Sequence, residues 1–191
     1  MKKKIIYIAA IIICLSIITG GTYAYFTGEA TARNVITSGS VEVSVVEQQL
    51  TDGALQPYPE QPIPVMPGTE VSKIVSARSE AQKAWVRMAF AVSIYDAAGE
   101  KVDISEEELE SMILIAPEEA AWTERDGWWY CAEPVGHGEL TPPLFESVAF
   151  SGSEMGNEFQ NCTVIIDVTA QAVQQANNGQ TVLDAVGWPE I

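Results

Sequence analysis

Hydrophobic and polar positions alternate along much of the chain beyond residue 40. Over residues 84–95, Val86, Met88, Phe90, Val92 and Ile94 alternate with Trp85, Arg87, Ala89, Ala91 and Ser93. A strand gathers the first five on one face, whereas a helix would spread them around its circumference. This stretch is therefore expected to be the central core strand. The same period places Val41, Val43 and Val45 inward over 41–46, and Cys162, Val164, Ile166 and Val168 inward over 162–169. Further strands are expected over 70–78 and 147–150.

The segments between these strands carry turn chemistry. Asp126-Gly127 is a two-residue turn that matches strand twist, so residues 122–130 read as a hairpin. Pro57, Pro59, Pro62 and Pro64 remove backbone donors and predict an irregular, extended loop over 48–66. Ser105 with Glu108 three residues on forms a capping box, and Glu106 and Glu107 suit the positive end of a short helix that Pro117 stops. Residues 170–175 shift toward helix formers, and 182–186 can make another short helical or extended piece. The sum is an all-β fold, an antiparallel β-sandwich with one or two short helices.

The N-terminus follows a different pattern. Lys2, Lys3 and Lys4 precede an uncharged apolar run over 5–18, and Gly20-Gly21 ends it before Thr22-Tyr23-Ala24. Basic, apolar and small-residue regions in that order are the plan of a secretory signal. Fourteen apolar residues extend about 21 Å as a helix, short of the roughly 30 Å of a bilayer core. Residues 1–24 are thus expected to be a signal peptide, cut between Ala24 and Tyr25, with 25–191 a single exported domain. A retained anchor reaching Tyr25-Phe26 is the rival reading.

Charge narrows the partners. The 191-residue chain carries 26 acids and 10 bases, for a net charge of −16. Three of the bases are Lys2–Lys4, so seven bases against 26 acids leave −19 beyond residue 24. Such a surface repels nucleic acid and anionic lipid, and membrane contact is expected only through an uncut signal.

Candidate chemistry is sparse. His137 is the single histidine, so there is no HExxH helix. His137 with Cys131 and Cys162 matches no standard zinc spacing. No nucleophile elbow, phosphate loop or calcium loop is present. No metal or cofactor is expected, and the chain reads as a non-enzyme. Two features stay open. Cys131 and Cys162 could form a disulfide in an oxidising compartment. Trp128, Trp129 and Tyr130 could bind a glycan or partner if exposed together, or could pack, with Trp128 and Tyr130 on one face and Trp129 on the other.

The run Gly20-Gly21-Thr22-Tyr23-Ala24-Tyr25-Phe26-Thr27, followed by Thr37-Ser38-Gly39-Ser40-Val41, resembles the TasA/camelysin family. Pro67-Gly68-Thr69-Glu70 leading toward the long apolar strand over 84–95 is similar to that family's continuation. The resemblance implies a signal processed by a dedicated SipW-like peptidase and a secreted jelly-roll protein of the cell surface or biofilm matrix in Gram-positive bacteria. It also implies self-assembly into fibres through the freed segment 25–37, with Phe26, Ala30, Ala32 and Val35 as anchors added to the next subunit's sheet. The alternatives are a monomeric surface adhesin or ligand-binding module, and a camelysin-like metallopeptidase.

Overall fold

The computed structural model describes residues 41–189 apart from 64, 81, 157, 158 and 160. The signal segment, the Ala24–Tyr25 cut and the arm residues Phe26, Ala30, Ala32 and Val35 lie outside the described residues. Two antiparallel sheets stack face to face, making an all-β sandwich.

Among the described residues, one sheet has five strands: β1 (Val43–Thr51), β2 (Ala54–Pro57), β3 (Glu70–Ser79), β8 (Phe145–Phe150) and β5 (Ile113–Leu114), ordered β2-β1-β3-β8-β5. The other has four: β6 (Trp122–Arg125), β7 (Trp128–Cys131), β4 (Ala84–Tyr95) and β9 (Thr163–Gln174), ordered β6-β7-β4-β9. β4 pairs with β9 along its whole length, from Ala84 opposite Gln174 to Tyr95 opposite Thr163. The period-two reading of 84–95 holds, and Val86, Met88 and Ile94 are fully buried. They meet Val75, Ala77, Phe145 and Val148 from the opposing sheet. Phe90 stands edge-on to Phe145, with ring centroids 5.4 Å apart.

The short helix α1 (Glu106–Met112) begins as its residues dictate: the Ser105 hydroxyl accepts from the Glu108 N–H at 3.3 Å. The hairpin at Asp126-Gly127 also forms, with φ of 53° and 75°.

Two local expectations are overturned. Residues 48–66 are not irregular throughout. β1 runs on to Thr51 and turns at Asp52-Gly53, with φ of 52° and 78°, into β2. The prolines matter only from Pro57 onward, where a short edge strand tolerates them. Residues 170–175 are not helical either, because Ala170 to Gln174 pair with Met88 to Ala84. A full ladder on the central strand outweighs the weak local preference of alanine and glutamine.

Candidate functional site

Three places gather side chains of chemical interest. The first is the outer face of the four-stranded sheet, where alternation sends Trp85, Arg87 and Ala89 from β4, Trp128 and Tyr130 from β7, and Gln171 and Val173 from β9. Residues 175–189 cross this face as a strap. Trp85, Trp128, Tyr130 and Val173 pack there with Val182, Ala185 and Trp188 of the strap, forming a second small core.

Arg87 stands at its centre. The guanidinium lies 4.2 Å from the Trp128 ring and 4.7 Å from the Trp188 ring. It donates to Gln171 Oε1 from Nε and Nη2 at 2.9 and 2.7 Å, to the Tyr130 hydroxyl at 3.0 Å and to the Pro189 carbonyl at 3.3 Å. Among the described residues it pairs with no carboxylate. Ring quadrupoles and neutral oxygens therefore balance its charge. The strap's other end is tied by the Trp85 indole N–H, which donates to the Asn178 carbonyl at 2.8 Å.

This placement settles the geometry of the aromatic run. Trp128 and Tyr130 are each 8% exposed, under the strap, while Trp129 packs from the opposite face against the main core. The three rings do not form one exposed platform, so Trp128, Trp129 and Tyr130 offer no shared surface on which a sugar ring could stack.

The second place is an ion pair at the rim of the sandwich. Lys73 Nζ meets Glu47 Oε1 at 2.7 Å and sits 3.9 Å over the ring of Tyr58. Lys73 is buried and Glu47 half-buried. Burial, then the nearby Glu47 charge, raise the Tyr58 phenol above its ordinary range. The ion pair ties β1 to β3, and the ring covers its ammonium.

The third is the side of the sandwich between β1 and β9. Among the described residues β9 is an edge strand, bonded only to β4. β2 covers β1 only over Gln48 to Thr51, so residues 43–47 have no strand on that side among the described residues. β1 and β9 approach with Cα atoms within 8 Å. Val43, Val45, Val164, Ile166 and Val168 point into the main core here yet remain only partly buried. The two edges thus lie beside each other with no ladder joining them among the described residues, and half-covered apolar side chains line them.

The candidate disulfide is not made; Cys131 and Cys162 carry no bridge to each other. The ladder gives the reason. Tyr130, next to Cys131, pairs with Arg87, whereas Thr163, next to Cys162, pairs with Tyr95. Eight residues of β4 separate those points, roughly 27 Å at strand rise, while a disulfide requires Cα atoms within about 7 Å. Cys131 is instead a core thiol, 1% exposed, and burial is the main cause that pushes its pKa up to about 11.

That shift has a pH consequence. The folded protein prefers the neutral thiol, so its contribution is intact below the unfolded pKa of about 8.5 and is lost as pH rises toward about 11. Stability is expected to fall by roughly 2–3 kcal/mol across that window from this group. Tyr58 acts with the same sign, so the informative comparison is Cys131→Ala. Urea midpoints measured on both sides of the window should converge for wild type and Cys131→Ala on the alkaline side. Cys131 should also resist thiol reagents until the protein unfolds.

No helix of the described residues is long and apolar enough to cross a membrane. No three His, Cys, Asp or Glu side chains among them converge to hold a metal ion. His137 is exposed in a loop and Cys131 is locked in the core.

Comparison with known families agrees with the resemblance read from the N-terminus. The family described as camelysin metallo-endopeptidase matches residues 1–56. No curated protein and no solved structure matches the chain. The family description implies a catalytic metal, but the described donor residues do not fit one, and no peptidase step follows from them.

Proposed function

We propose that this chain, whose first 56 residues match the camelysin family, is an exported, non-enzymatic structural protein of the cell surface or extracellular matrix. It assembles by strand addition. The reading rests on the open side of the sandwich. Among the described residues β9 is a twelve-residue strand bonded on one side, and Val164, Ile166 and Val168 beside it are only half-covered, which suits a further apolar strand. A long unpaired edge is a template for another chain, and soluble proteins ordinarily blunt or cover it. An added strand gains main-chain hydrogen bonds, while its alternate side chains set the register.

The occupant is residues 25–37 of a second copy, freed when a SipW-like peptidase cuts between Ala24 and Tyr25. Phe26, Ala30, Ala32 and Val35 are its apolar anchors. The net charge of −19 beyond the signal opposes unguided association, so assembly depends on this specific arm.

The test compares protein beginning at Tyr25 with protein beginning at Ser38. Electron microscopy should show fibres from the first and only monomers from the second. A synthetic peptide of residues 25–37 should slow fibre growth by occupying the edge. Fibres of equal length and number from both proteins would overturn the reading, as would monomers from both.

A further inference from the structure

Several of the ties that hold the strap over the outer face meet at one residue, Asn178. Asn178 Nδ2 donates to the Val186 carbonyl at 2.9 Å, and Asn178 Oδ1 accepts from the Val186 N–H at 2.9 Å. The amide thus acts as a two-point clasp across residues 178–186. The same residue's backbone carbonyl receives the Trp85 indole N–H. Three of the ties that hold the strap converge on Asn178.

The residue after it is Gly179, and this is the chain's single Asn-Gly step. Asn-Gly is chemically labile because the following backbone nitrogen is unhindered. We propose that Asn178 is a deamidation site whose conversion unlatches the strap. The Gly179 backbone nitrogen attacks Asn178 Cγ, forming a C–N bond as ammonia leaves with the transferred proton. Water then opens the resulting succinimide ring to aspartate or isoaspartate. Water is the only co-reactant, and no oxidant or enzyme is needed.

The fold controls the rate. While the clasp is closed, both heteroatoms on Cγ are bound to Val186. Gly179 is also wedged against the strap's return: a Cβ added to it would lie 2.9 Å from the Ala185 nitrogen. Attack therefore waits for residues 178–186 to open locally, and the folded protein reacts more slowly than the unfolded chain.

The product cannot rebuild the clasp. Aspartate places an acceptor where the Nδ2 donor stood, against the Val186 carbonyl. Two acceptors at hydrogen-bond distance repel, and the new negative charge finds no cation in the clasp. Isoaspartate also reroutes the main chain through Cβ and Cγ, so the carbonyl that binds Trp85 becomes part of a free carboxylate outside the chain. Either product loosens the cover over Trp85, Trp128 and Tyr130.

The experiment ages the folded protein in mildly alkaline buffer beside the same protein in denaturant. Peptide mapping then follows the mass gain of an amide-to-acid exchange and the appearance of isoaspartate. Conversion should occur at Asn178 in the folded protein, at least about tenfold more slowly than in denaturant given the closed clasp. Aged folded material, and separately Asn178→Asp, should show faster proteolysis within residues 175–189 and red-shifted tryptophan emission. If Asn178→Asp does not fold, the aged wild type supplies the readout alone. No conversion in folded protein after the denatured chain has reacted fully would overturn the proposal. Unchanged proteolysis and emission after conversion would also overturn it.

Discussion

Phe145→Ala is expected to destabilise the protein by about 3–5 kcal/mol. Phe145 is 1% exposed and joins the two sheets at the middle of the sandwich. Its ring stands edge-on to Phe90 of β4, and its backbone lies beside Val75 of β3. Truncation removes both the buried apolar area and the aromatic pair. The surrounding atoms belong to ladders on both sheets, so they cannot collapse into the space. Urea unfolding followed by tryptophan emission should show a lower midpoint with an unchanged slope. Phe145→Leu, which refills most of the volume, should lose less than half as much. An effect below about 1.5 kcal/mol for the alanine variant would mean that the sheets close over the hole, and that the core here is looser than the structure shows.

The sequence pattern anticipated this core because period-two alternation is a local property of each strand. Val86, Met88 and Ile94 could be placed on one face without knowing any neighbour. The same holds for Ser105 and Asp126-Gly127, whose chemistry acts within a few residues. Errors arose where the deciding partner lay far along the chain. Ala170 to Gln174 carry no strand signal of their own, and β4 recruits them. Asp52-Gly53 was as clear a turn as Asp126-Gly127, but the prolines that follow masked the short strand between. The disulfide, which the sequence leaves open, is absent for a related reason. Alternation assigns a face to Cys131 and Cys162 but not a position along β4, and position decides whether sulfurs can meet.

The open side between β1 and β9 was invisible for a further reason. A strand's own pattern does not say whether both of its edges are paired. Partial burial of Val164, Ile166 and Val168, which a sequence scores as core, is a property of the assembled sheets. The strap was hidden similarly. Trp85 and Arg87 sit at positions that alternation assigns away from the main core, and solvent is the usual occupant of that side. The available clue was composition: Trp85, Trp128 and Tyr130 are too apolar for a bare outer face, and Trp188 near the C-terminus supplies a cover.

Arg87→Met is expected to cost about 3 kcal/mol through the groups it leaves behind rather than through lost volume. Methionine retains most of the aliphatic stem but none of the donors. Gln171, 5% exposed, would keep its Oε1 under the strap with both guanidinium bonds gone. Tyr130 would lose its donor, and the stack between Trp128 and Trp188 would lose its cation. A second substitution separates the lost acceptor from the lost stack. If the orphaned Gln171 oxygen dominates, adding Gln171→Leu to Arg87→Met should recover part of the loss, because no acceptor then remains unsatisfied. Gln171→Leu alone should be destabilising, since it strips Arg87 of its principal acceptor while the charge stays half-buried. Stability of the four proteins in urea gives the coupling directly. A double variant as unstable as the sum of the singles would place the energy in the aromatic stack instead. In that case Arg87→Lys, which keeps the charge over the rings but loses the planar fork, should retain most of the wild-type stability.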